Sequence, residues 1–146
     1  MSRFLSRLRV DRLDDTSHDG RGTWSLSTPL VYESDVARRT IVVPAGFVTD
    51  LASVPRLPFA YLLTGGIAHS AAVIHDWLYT VHAIGSQPID RATADAIFRE
   101  AARMCGASAF QAWLMYQGVR LGGGNSWSRP GPKQPPIVAT VVAAAP

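Results

Sequence analysis

Short runs of alternating apolar and β-branched residues fill the first third of the chain, and helical periodicities fill the rest. Residues 8–13 (LRVDRL), 23–34 (TWSLSTPLVYES) and 38–47 (RRTIVVPAGF) read as strands, because the clusters DDTSHDGRG and SDVA between them supply turns. This predicts a small N-terminal antiparallel sheet. Residues 50–66 carry two prolines and close on a glycine pair, which predicts an ordered loop rather than a long helix.

Three helices follow. From Ala68 to His82 the apolar residues Ala71, Ile74, Leu78 and Val81 recur at roughly helical spacing until GSQP breaks the pattern. Asp90 is a natural N-cap for RATADAIFREAARMC, which Gly106 ends. ASAFQAWLMYQGVRL then runs to the glycines at 122–124. Beyond them, SWSRPGPKQPPIVATVVAAAP cannot build a core of its own. The expected architecture is a single α+β domain over residues 1–124, a sheet followed by three helices, with a Pro-rich extended C-terminal arm over 125–146.

Composition narrows the function classes. At 47% hydrophobic and 17% charged residues the 146-residue chain folds, and its length suits one domain. The net charge of +3 is spread over scattered arginines with no dense basic run, so nucleic-acid binding is not expected. Cys105 is the only cysteine, which excludes an intrachain disulfide and a cysteine-based zinc cage. No stretch has the apolar length of a signal peptide or a transmembrane span, and the expectation is a protein made in a cytoplasm.

The candidate chemistry centres on IHDWLY, residues 74–79. Residues four apart share a helix face, so His75 and Tyr79 project together while Asp76 points roughly 100° away. On the second helix Asp95, Phe98 and Ala102 form one stripe, and antiparallel packing would bring Asp95 to face His75 and Tyr79. A carboxylate that fixes one ring nitrogen as N–H leaves the other nitrogen basic, so His75 could take a proton with Asp95 as its orienter. The same triangle could instead tie two helices together without any reaction. Both uses stay open on the sequence.

Other combinations are weaker. Ser53 in TDLASVPR lacks the GxSxG frame of a nucleophile elbow, and Asp50 and Ser53 read as turn residues. His69 and His75 are six residues apart, a net rotation of about 240° around a helix that leaves them on different faces, which argues against one metal centre from His69, His75, Asp76 and Asp95. His18 and His82 fall in a turn and at a helix end, where solvated histidines are ordinary. Phe110, Trp113, Leu114, Met115 and Tyr116 make the third helix apolar all round, which predicts burial against another subunit as well as core packing. Trp127 with the arm behind it is the expected docking element.

AAVIHDWLY followed by DRATADAIFREA resembles the helix pair of phospholipases of the A2 type, especially the disulfide-free versions carried by some viral capsid proteins. That likeness implies His75 as the base, Asp76 as a calcium ligand, Tyr79 as support and Asp95 as orienter. The glycine-rich calcium loop of those enzymes has its nearest counterpart in Thr64 to Gly66. VVPAGFVTDLASVPR, AAVIHDWLY, RATADAIFREAARMCG and MYQGVRLGG, in that order, resemble an uncharacterised family of tailed bacteriophages and prophages, domain-of-unknown-function family 1353. This second likeness implies a phage protein, and together with the expected C-terminal arm it leads to the expectation of a virion component of the tail or head-to-tail assembly, made in the host bacterial cytoplasm. Such a component would contact other virion proteins through the arm and the third helix, or form a homo-oligomer. The phospholipase likeness implies the alternative, a lipid or cell-envelope hydrolase with His75 as general base and calcium as its cofactor.

Overall fold

Strict alternation of buried and half-buried residues builds the central strand of the first sheet: Leu30, Tyr32 and Ser34 face inward while Val31 and Glu33 face outward. The protein is a computed structural model that describes residues 1–13, 23–49 and 68–128. Its strands in chain order are β1 (Arg3–Phe4), β2 (Val10–Leu13), β3 (Thr23–Leu26), β4 (Leu30–Ser34), β5 (Arg39–Val43) and β6 (Val48–Thr49). After them come α1 (His69–Val81), the short strands β7 (Ala83–Ile84) and β8 (Gln87–Pro88), then α2 (Arg91–Met104), α3 (Ala109–Gly122) and α4 (Gly124–Ser128). The α+β class and the order of strands before helices agree with the sequence.

Two three-stranded antiparallel sheets replace the single sheet expected, with orders β1-β4-β5 and β2-β3-β6. The cause lies at Ser27–Pro29, where the segment read as one strand breaks into β3 and β4 because proline has no N–H to give a ladder. In β4 and β5 the register sets Leu30 opposite Val43 and Tyr32 opposite Ile41, so both strands turn the same apolar face inward. Between β5 and β6, Phe47 N–H donates to the Pro44 carbonyl in a tight turn that puts Gly46 at φ 85°, a conformation suited to glycine. GSQP is more than a breaker: Gly85 at φ 59° turns β7 back on β8 as a hairpin with a two-residue loop.

The helices lie where their periodicities put them. Asp90 caps α2 by accepting from Thr93 N–H at 2.8 Å. For α3 the cap is Ser108, two residues into the segment read as helix, and it forms a capping box with Gln111. Both α1 and α2 pack on β4, α1 also touches β5, and α3 packs on α2. The core fills this space with Tyr32, Ile41, Phe47, Ile74, Leu78, Ile97 and Phe98. Val81 is only half-buried, since α1 ends there and His82 enters the left-handed region at φ 53°.

The first residues of the segment read as an arm are helical and packed. Residues 124–128 form α4 and lie against α1, and the half-buried Trp127 packs on the domain's own core. Its ring is stacked 3.9 Å from His82, so neither residue is a free surface group. Residues 129–146 lie outside the described residues. No described helix is long and apolar enough to cross a membrane.

Candidate functional site

The middle of α1 is buried on nearly all sides, from Ala71 through Asp76 and again at Leu78 and Tyr79. Such a helix must satisfy each polar side chain inside the protein. His75 is 2% exposed and Asp95, on the inward stripe of α2 with Phe98 and Ala102, is 0% exposed. The two meet as the sequence predicts: His75 Nε2 lies 2.9 Å from Asp95 Oδ1, and the Tyr79 hydroxyl donates to the same oxygen at 2.5 Å.

A third helix contributes the partner that the sequence reading missed. Arg120, on α3, donates from Nη1 to Asp95 Oδ2 at 2.9 Å, so both oxygens of the carboxylate are held. Arg120 is the one charged residue in the sequence of α3, and a lone charge in an apolar helix was the available signal. Burial alone would raise the Asp95 pKa, yet the bonds from His75, Tyr79 and Arg120 outweigh it and hold the group below the usual carboxylate range. The carboxylate is therefore ionised and can only accept, which assigns the shared proton to His75 Nε2.

The other ring nitrogen is the notable one. His75 Nδ1 is buried and has no hydrogen-bond partner among the described residues. Burial lowers the His75 pKa from its ordinary value, and the bond and charge of Asp95 oppose that only in part, so the ring is neutral. Tyr79 and Phe98 enclose it, with ring centroids 4.1 and 4.7 Å away. A neutral imidazole with Nε2–H fixed and a bare Nδ1 lone pair can take up a proton.

Tyr79 is fixed from behind. Trp127 meets its ring edge-on at 5.0 Å, and a Cβ placed on Gly123 would come within 2.5 Å of the Tyr79 oxygen. The corner between α3 and α4 thus needs a glycine to admit the hydroxyl. Burial, then the Asp95 bond and charge, push the phenol pKa well above its ordinary value, so Tyr79 stays a donor.

Asp76 lies apart from this network, as its position on the helix requires, and accepts from Thr49 Oγ1 at 2.5 Å. No group of three or more His, Cys, Asp or Glu side chains among the described residues is placed to hold a metal ion, and exposed His69 joins none. Within those residues the donors do not fit calcium, which takes about six to eight oxygens. Asp50, Ser53, the segment Thr64 to Gly66 and His18 lie outside the described residues.

The family model described as a protein of unknown function (DUF1353) matches residues 24–119. That span holds His75, Tyr79 and Asp95 and stops one residue before Arg120. No curated protein matches the chain, nor does any solved structure.

Proposed function

The chain belongs to the DUF1353 family, and on that premise we propose that it is a hydrolase in which His75 is the general base. One observation carries this reading. Buried polar groups are mostly hydrogen-bonded, whereas His75 Nδ1 is buried and unpartnered among the described residues; His82 Nε2 shares that state, but only His75 has its other nitrogen fixed as N–H by a carboxylate. Nδ1 would take a proton from water as the oxygen attacks an ester carbonyl, and would return it to the leaving alkoxide when the carbon–oxygen bond breaks. Asp95 would stabilise the transient imidazolium, while Tyr79 and Arg120 fix the carboxylate. At 2% exposure His75 is shielded from bulk solvent, so the reaction requires the side chains around Nδ1 to open and admit water with the substrate.

The likeness of the α1–α2 pair to phospholipases of the A2 type makes lipid esters the first substrates, with cell-envelope polymers second. Product release from phospholipid vesicles and from cell-wall preparations, each with and without calcium, tests the proposal against His75→Ala. Wild type is expected to exceed the variant by about 10²–10⁴-fold on one of these substrates. Equal rates on all of them reject it.

A second reading, a component of the phage virion, draws on the exposed apolar side of α3. Phe110 and Trp113 stack at 6.0 Å and are 65% and 42% exposed, a surface suited to a neighbouring virion protein or a second copy of this chain. Mass spectrometry of purified particles is expected to find the chain there, and its absence from particles would remove this reading. The two readings are compatible, since a virion can carry an enzyme made in the host cytoplasm.

A further inference from the structure

A groove of about 320 Å³ opens between the β4–β5 turn, α2 and α3, on residues that take no part in the His75 network. Its walls are Val36, Ala96, Arg99, Glu100, Arg103 and Tyr116. Arg99 and Arg103 are four residues apart on α2 and so share one face. The Arg99 guanidinium lies 5.7 Å from the centre of the Tyr116 ring, and Arg103 Nη1 donates to the Ala107 carbonyl at 2.5 Å. These contacts restrain both side chains and leave most of their N–H groups unused among the described residues. Neither arginine forms an ion pair among the described residues.

Glu100 lies between them in sequence and would be the natural counter-ion, but its carboxylate is committed elsewhere. Ser2 Oγ and the backbone N–H groups of Asp35 and Val36 donate to Oε1, and the hydroxyls of Tyr32 and Ser34 donate to Oε2. Five donors saturate the one anionic side chain of the groove. What remains along the walls is two positive donor forks and a phenol.

We propose that this groove binds a phosphate group. A carboxylate is served by one guanidinium, whereas the tetrahedral array of phosphate oxygens takes two forks one helical turn apart. A soluble phosphate ester and a phospholipid head group present the same chemistry.

Two titrations at constant ionic strength separate these sources. In one, inorganic phosphate is added while NMR follows the amides of residues 96–103 and 116; in the other, phosphatidylcholine vesicles with and without phosphatidic acid are sedimented with the protein. Arg99→Gln and Arg103→Gln, both at exposed positions, are measured beside wild type. Saturable shifts with inorganic phosphate identify a soluble phosphate, and retention by phosphatidic acid vesicles alone identifies the lipid head. In either case each substitution is expected to weaken binding about tenfold. Binding in neither arm, or equal binding by wild type and both variants, overturns the proposal. No part of this test uses hydrolytic activity, so it stands or falls separately from the role of His75.

Discussion

Replacing Asp95 by alanine is expected to lower the free energy of unfolding by roughly 3–5 kcal/mol, the cost of breaking a buried charged network by removing one member. The carboxylate is fully buried and receives three donors from two other helices: the His75 ring and Tyr79 hydroxyl of α1, and the guanidinium of α3. Alanine leaves all three without an acceptor and opens a small cavity. Asparagine is a sharper probe. Its single carbonyl oxygen can still accept from His75 and Tyr79, while its NH₂ faces Arg120, which is about one third exposed and can turn to solvent. Asp95→Asn is therefore expected to cost about 1–2 kcal/mol. Urea denaturation of both variants measures the pair; an alanine cost within about 1 kcal/mol of zero would mean that the network does not hold the helices together.

The other large effect is expected at Glu100, far from His75 in function but central to the fold. Its two oxygens join α2 to residues at the N-terminal end of the chain and to β4, and two of the donors, Tyr32 and Ser34, are themselves buried in the core at 0% and 1% exposure. Burial, followed by the Glu100 charge, raises the Tyr32 pKa far above its ordinary value, so this phenol also remains a donor. Glu100→Ala removes the acceptor of five donors, of which the Asp35 and Val36 N–H groups can turn to water while the Ser2, Tyr32 and Ser34 hydroxyls are buried, and a loss of about 3 kcal/mol in unfolding free energy is expected. Glu100→Gln keeps one accepting oxygen but turns an NH₂ group toward other donors, and is expected to recover less than half of that loss. A cooperative unfolding transition unchanged in midpoint for both variants would contradict this account of how α2 is anchored.

The sequence disclosed what depends on local periodicity. The faces of α1 and α2 follow from residue spacing alone, so His75, Tyr79 and Asp95 could be brought together on paper, and the Asp90 cap fixed where α2 begins. Contacts between segments far apart in the chain were not legible. Arg120 reaches Asp95 across 25 positions and Tyr32 reaches Glu100 across 68, distances over which helical or strand spacing carries no information. The sheet was read as one because TWSLSTPLVYES alternates apolar and polar residues like a single strand, and only strand pairing reveals the corner at Pro29. Trp127 was assigned to a docking arm because prolines follow it, yet the glycines at 122–124 let the chain turn back and lay that ring on Tyr79 and His82.

The pH dependence of the network follows from its signs. The folded-state pKa of His75 lies below the value of 6.5 for a free side chain, so the unfolded chain binds the proton more readily. Stability contributed by the neutral ring is complete above that value and declines as pH falls below it. Asp95, held below 3.8, adds a further loss only at still lower pH, as it is protonated.

Nitrogen-15 NMR of the imidazole ring tests the central claim most directly, because it reports which nitrogen of His75 bears the proton. The geometry predicts a neutral ring at pH 7 with Nε2 protonated and Nδ1 bare, persisting as pH is lowered past 6.5. A proton on Nδ1 at neutral pH, or a ring already charged at pH 7, would contradict it.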